Sequence, residues 1–407
     1  MKTCTQCCLP ETQDSIRFDA NGVCTVCNQI KVKKEKIDWN KRMEMLHALC
    51  DRFRGKHAYD CVIPFSGGKD STYTLWYLVE KMKMKPLVVS FDHGFYRPRH
   101  LENRERTLKQ LHCDFLSFKA SWKIVRELML ESLRRKGDFC WHCHCGVYAG
   151  SMQVAVKHQI PLVFWGQPDA EYGSYGYSYD EIQEVNERQF NRFINLGITA
   201  EDMVGMLPEW VQLRDLEMFR YPKLEDMRKA GIVSVHLGSF IPWDPRTMAE
   251  TLRAELGWKW NSVEGIPDEY GWEKVECMFT GIRDYLKFIK RGFGRTTHLV
   301  SIDIREGRKT REEGLKLIEQ YDGKRPASLD LFLELVGLTE EEFLDIAMGQ
   351  CVSPYKHDPS EVSPAEPLWD MPLWRDLLVL AKKGERAEGE EKMGIGGRER
   401  KTRVAAR

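Results

Sequence analysis

The chain has 407 residues, with 61 Lys plus Arg against 61 Asp plus Glu, and is 42% hydrophobic and 30% charged. At about 100–200 residues per domain, that is enough for two or three ordinary globular domains. The zero formal charge excludes a chain-wide electrostatic footprint for nucleic acid or an anionic membrane, and no apolar run approaches the roughly 20 residues that span a bilayer.

The chain opens MKTCTQCC, without the apolar stretch of a secretory signal, so a cytoplasmic enzyme is expected. Its 13 cysteines then serve as reduced thiols for metal or chemistry rather than as a disulfide framework. Residues 1–35 are short and turn-rich and hold two CxxC knuckles, Cys4/Cys7 and Cys24/Cys27, with residues 8–23 between them. Four thiolates at this spacing suit a tetrahedral structural zinc, Zn²⁺, which would stabilise a segment with few large apolar residues. Cys8 is a neighbouring thiol that could substitute for Cys7.

A helical pattern over 38–53 precedes the first strong strand, YDCVIPF at 59–65. The turn SGGKDS follows and opens a helical pattern, STYTLWYLVEKM, over 71–82. PLVVSFD at 86–92 is a buried strand, then come a helix at 99–112, a strand at 114–118, helices at 121–135 and 147–158, and a fourth strand, PLVFW, at 161–165. Strands alternating with helices predict an α/β fold, a doubly wound parallel sheet, over about 55–180. The domains are set at 1–35 (zinc knuckle), 36–180 (nucleotide-binding), 181–350 (mostly helical, substrate-binding) and 351–407 (a Pro-rich segment and a disordered, charged tail).

The sharpest chemical signal is Ser66-Gly67-Gly68-Lys69-Asp70-Ser71 between a strand and a helix. Two glycines bring backbone N–H groups close to an anion, and the helix start adds free N–H groups and a positive dipole end. Ser66, Ser71 and Thr72 add hydroxyls and Lys69 adds charge, together making a pyrophosphate cradle. It is neither a Walker A loop nor GxGxxG, since the glycine spacing differs. A second cysteine group, Cys140-Trp-His-Cys143-His-Cys145, is expected in a loop between the third and fourth strands. It could bind a second zinc, hold an iron–sulfur cluster, carry a catalytic thiol or simply pack.

SGGKDS resembles the PP-loop of ATP pyrophosphatases, which split ATP between its α and β phosphates. That resemblance implies an adenine nucleotide alpha hydrolase-like sheet, ATP with Mg²⁺, and ATP contacts at Ser66–Thr72, at Ser90, Phe91 and Asp92, and at Gly166 and Gln167. Lys69 and Asp70 would carry the catalysis. The blocks CTQCCLPET, IRFDANGVCTVC, YDCVIPFSGGKDSTYTLWYL, FDHGF and CWHC, with 239–260 and 284–314, resemble the N-acetyl sugar amidotransferases of surface-polysaccharide and flagellar-glycan pathways. The similarity covers about residues 1–350, and Cys8 departs from the aliphatic residue expected there.

This second resemblance implies an enzyme that turns the N-acetyl group of a nucleotide-linked or acidic sugar into an acetamidino group. The acetyl oxygen takes the adenylyl unit, pyrophosphate leaves, and ammonia displaces AMP. Position 2 is Lys and no cysteine sits in a GxCxG frame, so ammonia would come from a separate glutaminase through an ammonia-channel subunit. Arg283, Arg295, Arg305 and Arg311 are expected as anion clamps, and Trp243 and Asp244 as sugar-pocket residues. The rival reading is a PP-loop tRNA thiolase using Cys140 and Cys143. The neutral charge and the lack of a second zinc module near the C-terminus argue against it.

Overall fold

A computed structural model describes residues 1–167, 182 and 184–358. The charged tail and most of the Pro-rich stretch predicted after residue 351 lie outside the described residues.

Five strands form one parallel sheet: β1 (Cys61–Pro64), β2 (Pro86–Asp92), β3 (Asp114–Lys119), β4 (Leu162–Trp165) and β5 (Val233–His236), in the order β3-β2-β1-β4-β5. The sequence reading stops at four strands. β5 is a run of only four residues inside a helical stretch, yet its Val233–His236 backbone pairs with Leu162–Trp165. The sheet therefore draws a strand from beyond residue 180.

The strand sequences show why helices cover both faces. In β1, Cys61 and Ile63 turn to one face and Val62 to the other; in β4, Leu162 and Phe164 oppose Val163 and Trp165. Apolar residues on both sides of a parallel strand must be buried twice. α1 (Thr25–Glu35) packs in the N-terminal clusters, and the first face is covered mainly by α2 (Trp39–Phe53) and α3 (Lys69–Trp76). α4 (Pro98–Gln110), which starts on Pro98, lends Leu108 to that core. α5 (Trp122–Lys136) and α6 (Trp141–Lys157) follow; α6 covers the second face with Met152, Val154 and Ala155. α7 (Pro245–Leu256) returns to the first face, capped by Asp244 and ended by Gly257 at φ 60°.

The remaining long helices are α8 (Thr280–Arg291), α9 (Arg295–Arg305), α10 (Arg311–Tyr321), α11 (Leu329–Val336) and α12 (Glu340–Met348). Capping boxes Thr310/Glu313 and Thr339/Glu342 start α10 and α12. Ile282, Leu286 and Ile289 of α8, Phe332 of α11 and Phe343 of α12 share a core with Leu128, Met129 and Leu133 of α5. The C-terminal helices are thus packed into the flank of the α/β layer.

Candidate nucleotide site and cysteine centres

β1 ends at Pro64, the Phe65 N–H donates to Val89 O at 2.7 Å, and the chain turns through Ser66, Gly67 and Gly68 into α3. Gly67 has φ +81°, and a Cβ there would lie 2.6 Å from His100 Cε1. Only glycine meets both conditions. Gly67→Ala is therefore expected to cost roughly 1–3 kcal/mol of stability, read by chemical denaturation, and to weaken nucleotide binding read by calorimetry. Gly67 N–H donates to Ser71 Oγ at 3.1 Å and Gly68 N–H to Ser66 Oγ at 3.3 Å, so the two serines brace the turn. The first N–H groups of α3 have no helical partner and point out of its start.

The strand order reverses between β1 and β4, and the crevice at the C-terminal ends of such strands is where an open α/β sheet binds ligands. Gly166, just past β4, would place a Cβ 3.0 Å from Thr74 Oγ1 and 3.2 Å from Asp70 O, so its lack of a side chain lets the end of β4 close on the start of α3. Asp70 Oδ1, Thr72 Oγ1, Gln167 Nε2 and Glu276 Oε2 are buried without hydrogen-bond partners. Buried polar atoms are rarely left so, and four around one loop suit a polar ligand. His236 and His100 face the Gln167 and Ser66 backbones without well-aligned bonds. Burial, the largest cause, lowers both, His236 to about 4 and His100 to about 3.

At the β2 end, Ser90 is buried and its hydroxyl is 3.3 Å from Tyr96 OH. Asp92 faces Lys119 at 3.4 Å and accepts from the Gly94 N–H at 2.8 Å. The Phe91 side chain packs on Phe118 and Phe219, and its carbonyl accepts from Tyr96 OH at 2.8 Å.

Lys69 is almost fully buried. Its Nζ lies 2.5 Å from Glu273 Oε2, 2.9 Å from Asp70 Oδ2 and 5.3 Å from the Trp272 ring centre. Glu273 also meets Arg295 at 3.3 Å, and Arg295 grips Asp284 with two bonds of 2.7 and 2.8 Å. Burial pushes the Glu273 carboxyl up, but Lys69, Lys274 and Arg295 outweigh it and hold it well below the usual carboxylate range. Glu273 was missed in the sequence because one acid in a charged, aperiodic stretch carries no motif.

The six predicted substrate residues do not converge. Trp243 is fully buried, edge-on to Tyr73, and cannot stack on a sugar. Asp244 caps α7 and pairs with Arg308 at 2.9 Å. Arg311 donates to the carbonyls of Cys4 and Cys7 at 3.3 and 3.1 Å, which turns it to the knuckle, and Arg305 is buried. Arg283 faces Asp138 at 3.4 Å, and Arg295 is taken up by protein carboxylates. A cleft of about 500 Å³ lined by Arg99, Arg253, Gly257, Trp258, Lys259 and Trp260 was not anticipated. Trp258 Nε1 donates to Gly67 O at 3.4 Å, which sets that cleft beside the loop.

Cys4, Cys7, Cys24 and Cys27 are buried with all four sulfurs within 4.8 Å of one another. Cys4–Cys27 and Cys7–Cys24 are 3.9 and 3.8 Å apart, close to the sulfur spacing about a zinc with Zn–S near 2.3 Å. Hydrogen bonds from Cys24 and Cys27 hold Cys4 and Cys7 below the ordinary thiol range. Cys8 turns away into the main core. Cys140 and Cys143 are not in a loop: Cys140 precedes α6 and Cys143 lies in its first turn. Cys145, two residues further along α6, is fully buried in the core.

Residues 264–361 match a family described as LPS biosynthesis protein WbpG-like, C-terminal domain. Over 134 residues the chain is 26% identical to an uncharacterized protein of Methanocaldococcus jannaschii, covering 33% of this chain and 47% of that one. Over 206 residues it is 26% identical to a GMP synthase [glutamine-hydrolyzing] of Thermosipho africanus, covering 49% of this chain and 37% of that one. The chain spans less than half the length of either relative. Among the described residues, no helix is long and apolar enough to cross a membrane.

Proposed function

We propose that the chain is an ATP-dependent amidotransferase of the PP-loop type that converts the N-acetyl group of a nucleotide-linked or acidic sugar to an acetamidino group. The observation that carries this reading is the loop at the reversal of strand order, with the unpartnered buried atoms of Asp70, Thr72, Gln167 and Glu276 around it. The match to an LPS-biosynthesis domain supports a sugar substrate, and the similarity to a GMP synthase supports an ATP-consuming amination.

The loop N–H groups and Lys69 would hold the departing pyrophosphate, with Ser66 and Ser71 fixing the turn. Lys69 is already oriented by Glu273, so its charge needs little reorganisation. Mg²⁺ would neutralise phosphate charge here, and the free Asp70 oxygen is the loop carboxylate suited to hold it. The basic, Trp-lined cleft next to Gly67 suits the anionic end of a sugar nucleotide better than the arginines first expected. Ammonia would come from a separate glutaminase subunit, and Zn²⁺ would sit on the N-terminal thiols.

The test is a panel of UDP- and CMP-linked N-acetyl sugars incubated with ATP, Mg²⁺ and ammonium. The expected products are AMP, pyrophosphate and a sugar in which one oxygen is replaced by an imino nitrogen, all by mass spectrometry. Formation of ADP would overturn the α–β cleavage. Asp70→Ala is expected to lower kcat by about a hundredfold or more, and wild-type turnover in that variant would remove the loop from the mechanism.

A further inference from the structure

We propose that the cleft between α4 and residues 257–260 binds a nucleoside diphosphate, its two phosphates against Arg99, Arg253 and Lys259 and its base against Trp260. Naming that nucleotide as the carrier of the sugar substrate rests on the reading above; the site itself rests on the cleft.

The cleft has a volume of about 500 Å³ and is lined by Arg99, Arg253, Gly257, Trp258, Lys259 and Trp260. Small-molecule sites run to roughly 300–1,000 Å³. None of the six lining residues is acidic, in a chain whose positive and negative side chains are equal in number. Arg99, Arg253 and Lys259 are all exposed. Among the described residues, no ion pair joins Arg253 or Lys259 to a carboxylate. Two unmatched cations beside a third attract an anion. A carboxylate is matched by one guanidinium, whereas a diphosphate spreads its charge over several oxygens and takes up all three cations.

The wall of the cleft is fixed before any ligand arrives. Residues 257–260 form neither helix nor strand, yet side chains of α4 hold three of their carbonyls. Arg99 Nη1 donates to Trp260 O at 3.1 Å, Asn103 Nδ2 to Lys259 O at 2.8 Å and Arg106 Nη1 to Gly257 O at 3.0 Å. The Lys259 N–H donates in turn to Oδ1 of the buried Asn103 at 2.9 Å. A segment pinned in this way loses little further freedom when a ligand binds. Trp260 is half-buried, with the Arg253 guanidinium 5.6 Å from its ring centre. A base placed here has an aromatic ring and a guanidinium plane to stack on, the surfaces on which unpaired bases are commonly held. Trp258 is buried and bonds Gly67 O, so a molecule in the cleft lies beside the phosphate loop.

The test is calorimetry on the full chain with Mg²⁺ and saturating α,β-methylene-ATP, which fills the loop and resists cleavage there. UDP, CDP, GDP and inorganic pyrophosphate are then titrated separately. One of the nucleoside diphosphates is expected to bind once per chain, at least about tenfold more tightly than pyrophosphate. Arg253→Ala and Lys259→Ala should each weaken it by about tenfold, and Arg253→Lys should recover part of the loss. The denaturation midpoint and the affinity for α,β-methylene-ATP should stay unchanged, because both side chains are exposed and outside the loop. With the unmodified protein, affinity for the diphosphate should fall as salt is raised. No binding of any of the three, equal affinity for pyrophosphate, or a second α,β-methylene-ATP in the cleft would overturn the proposal. Sugar turnover unchanged in a variant carrying both Arg253→Ala and Lys259→Ala would also overturn it and leave the amidotransferase reading standing. Nucleoside diphosphate binding without turnover of any N-acetyl sugar would do the reverse.

Discussion

Glu273→Ala is expected to lower the stability of the folded chain by about 3–5 kcal/mol, the usual penalty for removing one partner of a buried ion pair. Glu273 is fully buried between Lys69 at 2.5 Å and Arg295 at 3.3 Å. Asp70 and Asp284 would remain as partners of these cations, but the carboxylate joining them would be gone. Glu273→Gln keeps the shape and loses the charge, so it should fall between the two. The pH dependence follows from the lowered carboxyl. A group whose folded pKa lies below its unfolded value stabilises the fold above the ordinary Glu value of about 4.3, and that stability is lost as pH falls below it. Urea midpoints measured from pH 7 downward should therefore drop faster in the wild type than in Glu273→Gln. Parallel curves, or a Glu273→Ala loss under about 1 kcal/mol, would show that Lys69 is not held by this pair. Because Glu273 touches Lys69, the same variant should also reduce turnover in the ATP assay.

The sheet was readable where burial wrote a local signal. YDCVIPF, PLVVSFD and PLVFW are continuous apolar runs because parallel strands are covered on both faces, and β1, β2 and β4 fall within or on them. β3 is legible although it is an edge strand with mostly exposed residues, since Phe115, Leu116 and Phe118 still make a short apolar run. β5 was not found, because four residues after a Gly carry too little pattern to outweigh a helical neighbourhood. The Cys140–Cys145 stretch reads as a loop in the sequence because its cysteines and histidines hide a stripe of Trp141, Cys145, Ala149 and Met152. These residues are buried at spacings of four, four and three, as on one helix face. The tight turn at Ser66–Gly68 could be read from its glycines and hydroxyls alone, since its conformation is local. The arginine roles could not, because a guanidinium clamp depends on which chain segment faces it. Arg311 proved to face Cys4 and Cys7 across more than 300 residues, at 307 and 304 positions.

That contact also sets the scale of the second large effect. Cys27→Ser is expected to abolish zinc retention at the N-terminal site and to open residues 1–35 to protease. In this segment the buried apolar cluster, beyond its four thiols, consists of Leu9 and Val26, with Ile16, Phe18 and Val23 partly buried. Such a core cannot offset the entropy of ordering the segment. Structural zinc contributes about 10–16 kcal/mol in small knuckle peptides, far more than those side chains supply. Loss of the ion should also release what rests on it. Arg311 would lose the Cys4 and Cys7 carbonyls, the Cys8 N–H its 3.1 Å bond to Ser301 Oγ, and Thr12 Oγ1 its 2.6 Å bond to the Arg291 carbonyl. These bonds tie the knuckle to α8, α9 and α10, so opening should spread along that face and leave the sheet intact. Elemental analysis against the wild type should show the loss of about one zinc per chain, and limited proteolysis should cut first within residues 1–35. Cys8→Ala should keep its zinc, because Cys8 turns into the main core. Full zinc retention in Cys27→Ser, or zinc loss in Cys8→Ala, would assign the ion to a different set of thiols.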